Sequence, residues 1–422
     1  MHSHSYLKSA TQILNRYRGE EPFASFLKKY FAHNKKFGSK DRKQVSHLCY
    51  CYFRLGKALL DSPTEERILI GLFLCSHAPG EILEQLKPEW NKKNGLPVEG
   101  KLLIINYSRL PGLARLKLQR RRSGKALLSQ DIFPFKEQLS RGIDHEKFCK
   151  SFLVQPDLFI RVRPGYESIV KTKLLDHGII FSEITSSCLS LPNASRIENI
   201  IALDKEAVVQ DYASQQTGVF FRNFNFHGAR PAAQVSSHRL KVWDCCAASG
   251  GKSLMLYDID PDIELTVSDI RKSILVNLEK RFATAGVKNY KSIVADLTRS
   301  HLAKGVLSDK SNIPDFEFII CDAPCTGSGT WSRTPEQLYF FNEKKIEQYS
   351  LLQKEIVSNI VPHLERDAFF LYITCSVFRR ENEEVTEFIR NSLQLELITM
   401  QLLKGYDKKA DTMFVALFKK IL

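Results

Sequence analysis

The chain has 422 residues, of which 43% are hydrophobic and 26% charged; this excludes a disordered chain and leaves room for about three domains of roughly 150 residues. Its net charge of +14 is unevenly spread: residues 1–150 hold 28 basic and 14 acidic side chains, whereas residues 151–422 hold 33 of each. A neutral body with a basic first third points to a polyanionic partner held by that third.

The longest apolar run, residues 68–75, is too short to span a bilayer, and Met1-His2-Ser3-His4 lacks the start of a secretory signal. Ten cysteines without a disulfide spacing are expected to stay reduced, so the expectation is a cytoplasmic, monomeric protein with no membrane partner.

Residues 1–150 read as an all-helical, basic domain. Val45, Leu48, Cys49, Tyr52 and Phe53 recur at helical spacing, and Ser62-Pro63-Thr64-Glu65 has the form of a capping box. A basic tract closes this part in Arg120-Arg121-Arg122-Ser123-Gly124-Lys125. Residues 151–205 read as a small α+β module: a strand over Leu158–Val162, a helix over 167–175, and strands over 179–181 and Cys188–Leu191. Residues 206–422 alternate short apolar runs, at 241–245, 264–268, 292–295, 317–321 and 369–374, with helical segments. That is the pattern of an α/β, Rossmann-like sheet with ligands at the carboxyl ends of its strands.

After the first of those strands comes Asp244-Cys245-Cys246-Ala247-Ala248-Ser249-Gly250-Gly251-Lys252-Ser253. A phosphate-binding P-loop would need glycine where Cys246 stands, and a dinucleotide fingerprint needs a third glycine. An adenosine-type ligand such as S-adenosylmethionine suits a close-packed loop with no phosphate cradle. Asp269 ends the second strand, where an acid binds ribose hydroxyls, and Asp296 ends the third, in reach of an adenine amino group. Three acids in successive crossovers, at Asp244, Asp269 and Asp296, are more than helix caps require.

The fourth strand ends in Cys321-Asp322-Ala323-Pro324-Cys325-Thr326-Gly327 and the fifth in Thr374-Cys375-Ser376, followed by Arg379-Arg380-Glu381-Asn382-Glu383-Glu384. Cys49, Cys51, Cys75, Cys149, Cys188 and Cys321 read as structural. Cys325 and Cys375 lie past strand ends in small-residue loops, where a thiol can be activated. A zinc site from Cys245, Cys246, Cys325 and Cys375 lacks ligand spacing. A thiolate beside a methyl donor suits carbon 5 of a pyrimidine: addition at carbon 6 makes carbon 5 nucleophilic, and Asp322 is placed to stabilise charge near N3.

These residues resemble the RsmB/Nop/Sun family of RNA 5-methylcytosine methyltransferases. Val209-Gln210-Asp211-Tyr212-Ala213-Ser214-Gln215-Gln216 is similar to the family's entry motif, and the cofactor loop, Asp-Ala-Pro-Cys-Thr-Gly and Thr-Cys-Ser follow in family order. The resemblance implies a class I methyltransferase domain preceded by an RRM-like module and a NusB-like RNA-binding region. It implies S-adenosylmethionine contacts at Cys246, Ala247, Ala248, Ser249, Gly250, Gly251, Lys252, Asp269, Asp296 and Asp322. It also implies Cys375 as nucleophile, Cys325 as the thiol that assists product release, and Lys252 as the group orienting Asp322. Ser249 departs from the family's proline. Ribosomal RNA is the expected substrate and tRNA the alternative; a non-catalytic RNA-binding or ribosome-assembly protein would have no need of both thiols. A DNA-type enzyme would follow Pro324-Cys325 with glutamine, not Thr326.

If the basic third grips phosphates, neutralising Arg120, Arg121 and Arg122 should weaken RNA binding and flatten its salt dependence. The slope should fall by up to about one unit for each phosphate no longer neutralised. An unchanged slope in a salt titration would mark the tract as a solvated face.

Overall fold

The computed structural model describes residues 2–109, 126–222, 239–299 and 314–421; the tract Arg120-Arg121-Arg122 lies outside them. The chain forms two units. One comprises Met1–Leu139, Ile143–Gln155 and Thr330–Asn342, so a short stretch of the expected catalytic region is built into the helical unit. Its helices are α1 (Ser3–Arg16), α2 (Phe23–His33), α3 (Ser39–Arg54), α4 (Thr64–Cys75), α5 (Glu81–Leu86), α6 (Pro88–Asn91), α7 (Val98–Arg109), α8 (His145–Ser151) and α14 (Pro335–Phe340).

The stripe Val45, Leu48, Cys49, Tyr52 and Phe53 is buried on α3, as its spacing requires. The capping box at Ser62 does not form. Pro63, in an extended conformation, occupies the cap position itself, so the helix starts at Thr64 and no side chain caps it. Not all the basic residues of this unit face solvent: Arg54, Arg67 and Lys101 are buried. The Arg54 Nη1 donates to the carbonyls of Phe152, Val154 and Ser332 at 2.7, 3.0 and 3.1 Å. The Arg67 guanidinium lies over the rings of Tyr52 and Tyr339, 4.6 and 5.0 Å from their centroids. These cations are part of the core.

The second unit comprises Ser140–Gly142, Pro156–Gly329 and Glu343–Leu422. It begins with a four-stranded antiparallel sheet, β1 (Leu158–Val162), β2 (Ser182–Thr185), β3 (Cys188–Leu191) and β4 (Ala207–Val209), in the order β2-β3-β1-β4, with α9 (Glu167–Asp176) on one face. The second strand lies three residues beyond the predicted 179–181, because Ile179 and Phe181 serve as packing residues under α9 and the strand proper is exposed. β4 falls just past the 205 boundary. Ile160, Val162, Leu189 and Leu191 pack with Val170 and Leu174, while Phe159 and Cys188 on the opposite face pack with Ala410 and Tyr212. Both faces of β1 and β3 are therefore covered, while the edge strand β2 is exposed.

α10 (Tyr212–Gln216) and α11 (Gly218–Arg222) lead to the large sheet: β5 (Leu240–Asp244), β6 (Ile263–Asp269), β7 (Tyr290–Val294), β8 (Phe316–Asp322), β9 (Leu364–Thr374), β10 (Leu395–Leu403) and β11 (Met413–Lys420). The order is β10-β11-β9-β8-β5-β6-β7. Strands β5 to β9 pair in parallel, and the β10–β11 pair closes one edge antiparallel, which the sequence pattern did not foretell. Helices α12 (Gly251–Ile259), α13 (Lys272–Ala285), α15 (Lys344–Ile360) and α16 (Glu383–Ser392) supply the crossovers. Two apolar layers flank the sheet, one including Val242, Ile320, Leu371 and Ile373, the other Trp243, Ile319, Phe370 and Tyr372. The strand order reverses between β5 and β8, so a crevice opens beyond their carboxyl ends.

A buried ion triad joins the small sheet to α12. Asp258 receives Arg161 Nη1 at 2.6 Å and Arg163 Nη2 at 2.7 Å, and all three side chains are at most 11% exposed. Removing the acid would strand two guanidiniums, so Asp258→Ala should cost about 3–5 kcal/mol of unfolding free energy in urea titrations. A loss under about 1 kcal/mol would show the triad to be dispensable.

Candidate active site

The crevice is a cavity of about 380 Å³. Ile270, Leu297, Leu352 and Ile356 give it apolar walls, and Asp269, Asp296 and Asp322 set carboxylates around it. Of the other residues named from the sequence, Cys245, Cys246, Ala248 and Cys325 also line it, with Tyr349 added. Ala247, Ser249, Gly250, Gly251, Lys252 and Cys375 are not among its walls.

The loop between β5 and α12 turns sharply, with Ala248 at φ 47° and Gly250 at φ 80°. Gly250 is required twice over: its backbone is left-handed, and a Cβ there would press on Phe282 and Leu278 at 2.7 and 2.9 Å. Asp269 braces the loop by accepting the Ala248 N–H at 3.1 Å, and it also accepts the Arg271 N–H at 2.9 Å. The mostly exposed Arg271 guanidinium covers the same carboxylate. Asp296 is tied to Thr298, whose N–H and hydroxyl both donate to Oδ1, and this holds its carboxyl below the usual range. Ser249, in place of a proline, accepts from Arg281 Nη1 through both its carbonyl and its hydroxyl, at 3.2 and 3.3 Å. Proline lacks that hydroxyl, so serine fixes the loop to α13 by a bond the ring could not make.

At the other side of the crevice, the parallel register of β8 and β9 sets Asp322 opposite Ile373. The loops that follow bring the Cys325 and Cys375 sulfurs to 3.3 Å. Lys252 donates to Asp322 Oδ2 at 2.5 Å. Burial opposes the lysine's charge, but the Asp322 carboxylate beside it, together with Asp244 and the Cys375 thiol, outweighs burial and raises its pKa. The Cys325 thiol is pushed well above the usual range, first by its hydrogen bond to Cys375 and then by burial. Gly329 closes the first loop by donating its N–H to the Cys375 carbonyl at 2.9 Å; a Cβ there would strike the Thr412 carbonyl.

A residue overlooked in the sequence holds these two loops together. Glu381 is fully buried. It accepts the Thr326 N–H at 2.8 Å and hydroxyl at 2.6 Å from the Cys325 loop, and the Ser376 hydroxyl at 2.6 Å from the Cys375 loop. Gln353 adds a bond at 3.2 Å and also donates to the Pro324 carbonyl at 2.9 Å. The next residue, Asn382, accepts from the Thr374 hydroxyl and donates to the Ser376 carbonyl. In the sequence, Glu381 and Asn382 sit in a run of charged residues; only the fold reveals their burial. The set of cysteines considered for zinc is not gathered. Instead Cys321, read as structural, lies with Cys245 and Cys246, their sulfurs all within 4.8 Å of one another.

The order of the large sheet and the carboxylate-lined crevice beyond its strand ends are those of the class I methyltransferase fold. Residues 235–418 match the family described as 16S rRNA methyltransferase RsmB/F. It is 28% identical over 166 residues to ribosomal RNA small subunit methyltransferase B of Pectobacterium carotovorum, covering 37% of this chain and 35% of that protein. The Photorhabdus laumondii protein of the same name is 29% identical over 162 residues, with the same coverage. The matched stretch thus spans about a third of the length of these curated relatives. Among solved structures, PH0851 aligns over 98% of this chain and 97% of its own at 16% identity and TM-score 0.65. NSun6 from Pyrococcus horikoshii with SFG aligns over 70% of this chain and 97% of its own at 15% identity and TM-score 0.54. At these identities the structures show the shared fold. No helix among the described residues is long and apolar enough to cross a membrane.

Glu381→Ala would leave buried donors of both loops unpaired and should cost about 1–3 kcal/mol for each. Glu381→Gln should retain more stability, because the Thr326 and Ser376 hydroxyls can rotate to meet an amide. Burial raises the Glu381 carboxyl, so the native state binds its proton more tightly than the unfolded chain. Its contribution to stability is therefore present at low pH and lost as pH rises through the folded value, and Glu381→Gln should shallow that decline. Equal stability of the three proteins across a pH series of denaturant melts would contradict the clamp.

Proposed function

We propose that the protein is an RNA cytosine-C5 methyltransferase acting on ribosomal RNA, and that Cys375 is its nucleophile. The observation that carries this reading is the pair of thiols 3.3 Å apart beside the Lys252–Asp322 pair, at the mouth of an adenosine-sized crevice. The crevice fits S-adenosylmethionine chemically: apolar walls suit an adenine ring, and Asp269 and Asp296 offer carboxylate oxygens to hydroxyl and amino groups. Asp269 would exchange the exposed Arg271 guanidinium for the ribose. When bound, the cofactor supplies an electrophilic methyl group.

The protein's own groups divide the remaining work. Hydrogen bonding to Cys375 and burial push the Cys325 thiol up, which leaves Cys375, near the Lys252 ammonium, as the sulfur offered to the ring. The Cys375 sulfur bonds to carbon 6 of the cytosine, and the electron pair of the 5,6 double bond shifts toward carbon 5. Asp322 and Lys252 face the N3 edge of the ring, where they stabilise the charge that develops during addition. Once carbon 5 carries the methyl group, Cys325, having released its own proton to solvent, takes the carbon-5 proton; the electrons of that C–H bond re-form the 5,6 double bond, and the carbon 6–sulfur bond breaks to free the Cys375 thiolate.

RNA would be held by the basic N-terminal third, a NusB-like region in this reading. The RRM-like module serves otherwise. RNA-binding sheets of that kind stack bases on an open face, whereas here Phe159 and Cys188 are covered by Tyr212 and Ala410. The module braces α12 and the cofactor loop through Asp258.

The test is a denaturing gel with labelled small-subunit ribosomal RNA and S-adenosylmethionine. Cys375→Ala should give neither methylation nor adduct, and Cys325→Ala should accumulate a covalent protein–RNA complex, because elimination is the later step. The reverse pattern would exchange the two roles, and no adduct from either variant would sink the covalent mechanism.

A further inference from the structure

We infer that Cys245, Cys246 and Cys321 form a binding site for a thiophilic divalent cation of the Zn²⁺ and Cd²⁺ class, and that filling it shuts the crevice to the nucleoside. None of these thiols makes or breaks a bond in the proposed reaction, although Cys245 and Cys246 line the crevice. Their three sulfurs lie within 4.8 Å of one another. Metal–sulfur bonds of roughly 2.3 Å in a tetrahedral arrangement place sulfurs about 3.8 Å apart, so small side-chain rotations suffice.

The fold holds the trio in place. β5 and β8 are parallel neighbours, and the Cys245 N–H donates to the Ile320 carbonyl at 2.9 Å, which sets Cys245 and Cys321 side by side beyond the strand pairing. Both are fully buried against the layer containing Trp243 and Ile319, so two ligands stand on rigid sheet. Cys246 is partly exposed, and Cys245 and Cys246 line the crevice. A cation held by three thiolates keeps a fourth position, and here that position faces the crevice. The metal would bind as the thiols release their protons to solvent, with no change of oxidation state.

The exclusion half of the inference rests on the crevice being the cofactor site; the metal half does not. The experiment uses the full chain carrying Cys325→Ser and Cys375→Ser, so that the other thiol pair is removed. Cd²⁺ titration should develop a thiolate-to-metal charge-transfer band saturating at one equivalent. Cys321→Ala, and separately the more exposed Cys246→Ser, should weaken that band's midpoint roughly tenfold or more while circular dichroism shows the fold intact. Calorimetric binding of S-adenosylhomocysteine should fall in step with the band and return on chelation. A band indifferent to both substitutions overturns the site, and nucleoside binding unmoved by a saturated band overturns the exclusion. Failure of the metal-free protein to bind the nucleoside would instead sink the methyltransferase reading, with the metal titration still decisive for the trio.

Discussion

Two sulfurs 3.3 Å apart on loops fifty residues distant in sequence require those loops to be fixed to each other, and a buried carboxylate is the hub of the bonds that do this. Glu381 collects donors from the residue after Cys325 and the residue after Cys375, so neither loop can shift without unpairing a polar group in a dry interior. The parallel register of β8 and β9 delivers the loops to the same level, and Glu381 takes over where the strand ladder stops. Burying a carboxylate is unfavourable, and its four hydrogen bonds offset that penalty only in this arrangement of the loops.

The same logic governs the cofactor side. A strand-order reversal creates the crevice, and Asp269 then turns a generic loop into a fixed one by accepting the Ala248 N–H. Ser249 shows how a departure from a family pattern can be absorbed: the rigidity a proline ring would give is supplied by a hydrogen bond from Arg281. The Lys252–Asp322 pair bridges the two sides, so charge near one is felt at the other. Behind α12, the Arg161–Asp258–Arg163 triad anchors the helix that begins at the loop.

Much of this was legible in the sequence, for particular reasons. Strands β5, β6 and β8 and the last half of β9 are buried on both faces and read as apolar runs, so their ends, and hence Asp269, Asp322 and Cys375, could be located. The β10–β11 pair escaped because β10 is mostly exposed on an edge, which blurs its pattern. Glu381 and Asn382 escaped because burial of a charge run depends on partners that only the tertiary fold brings. Cys321 read as core, which its burial supports, yet proximity to Cys245 and Cys246 comes from strand order, a property no local pattern carries. Arg54 and Arg67 counted toward a basic surface in the sequence, whereas the fold sets them against carbonyls and aromatic rings in the core.

The most direct measurement is bisulfite sequencing of ribosomal and transfer RNA from cells with the gene intact and with it deleted. The account requires at least one ribosomal cytosine that resists conversion in the first and converts fully in the second, with resistance restored by the intact gene and not by a Cys375→Ala copy. Unchanged conversion at every cytosine in both RNA classes would contradict it.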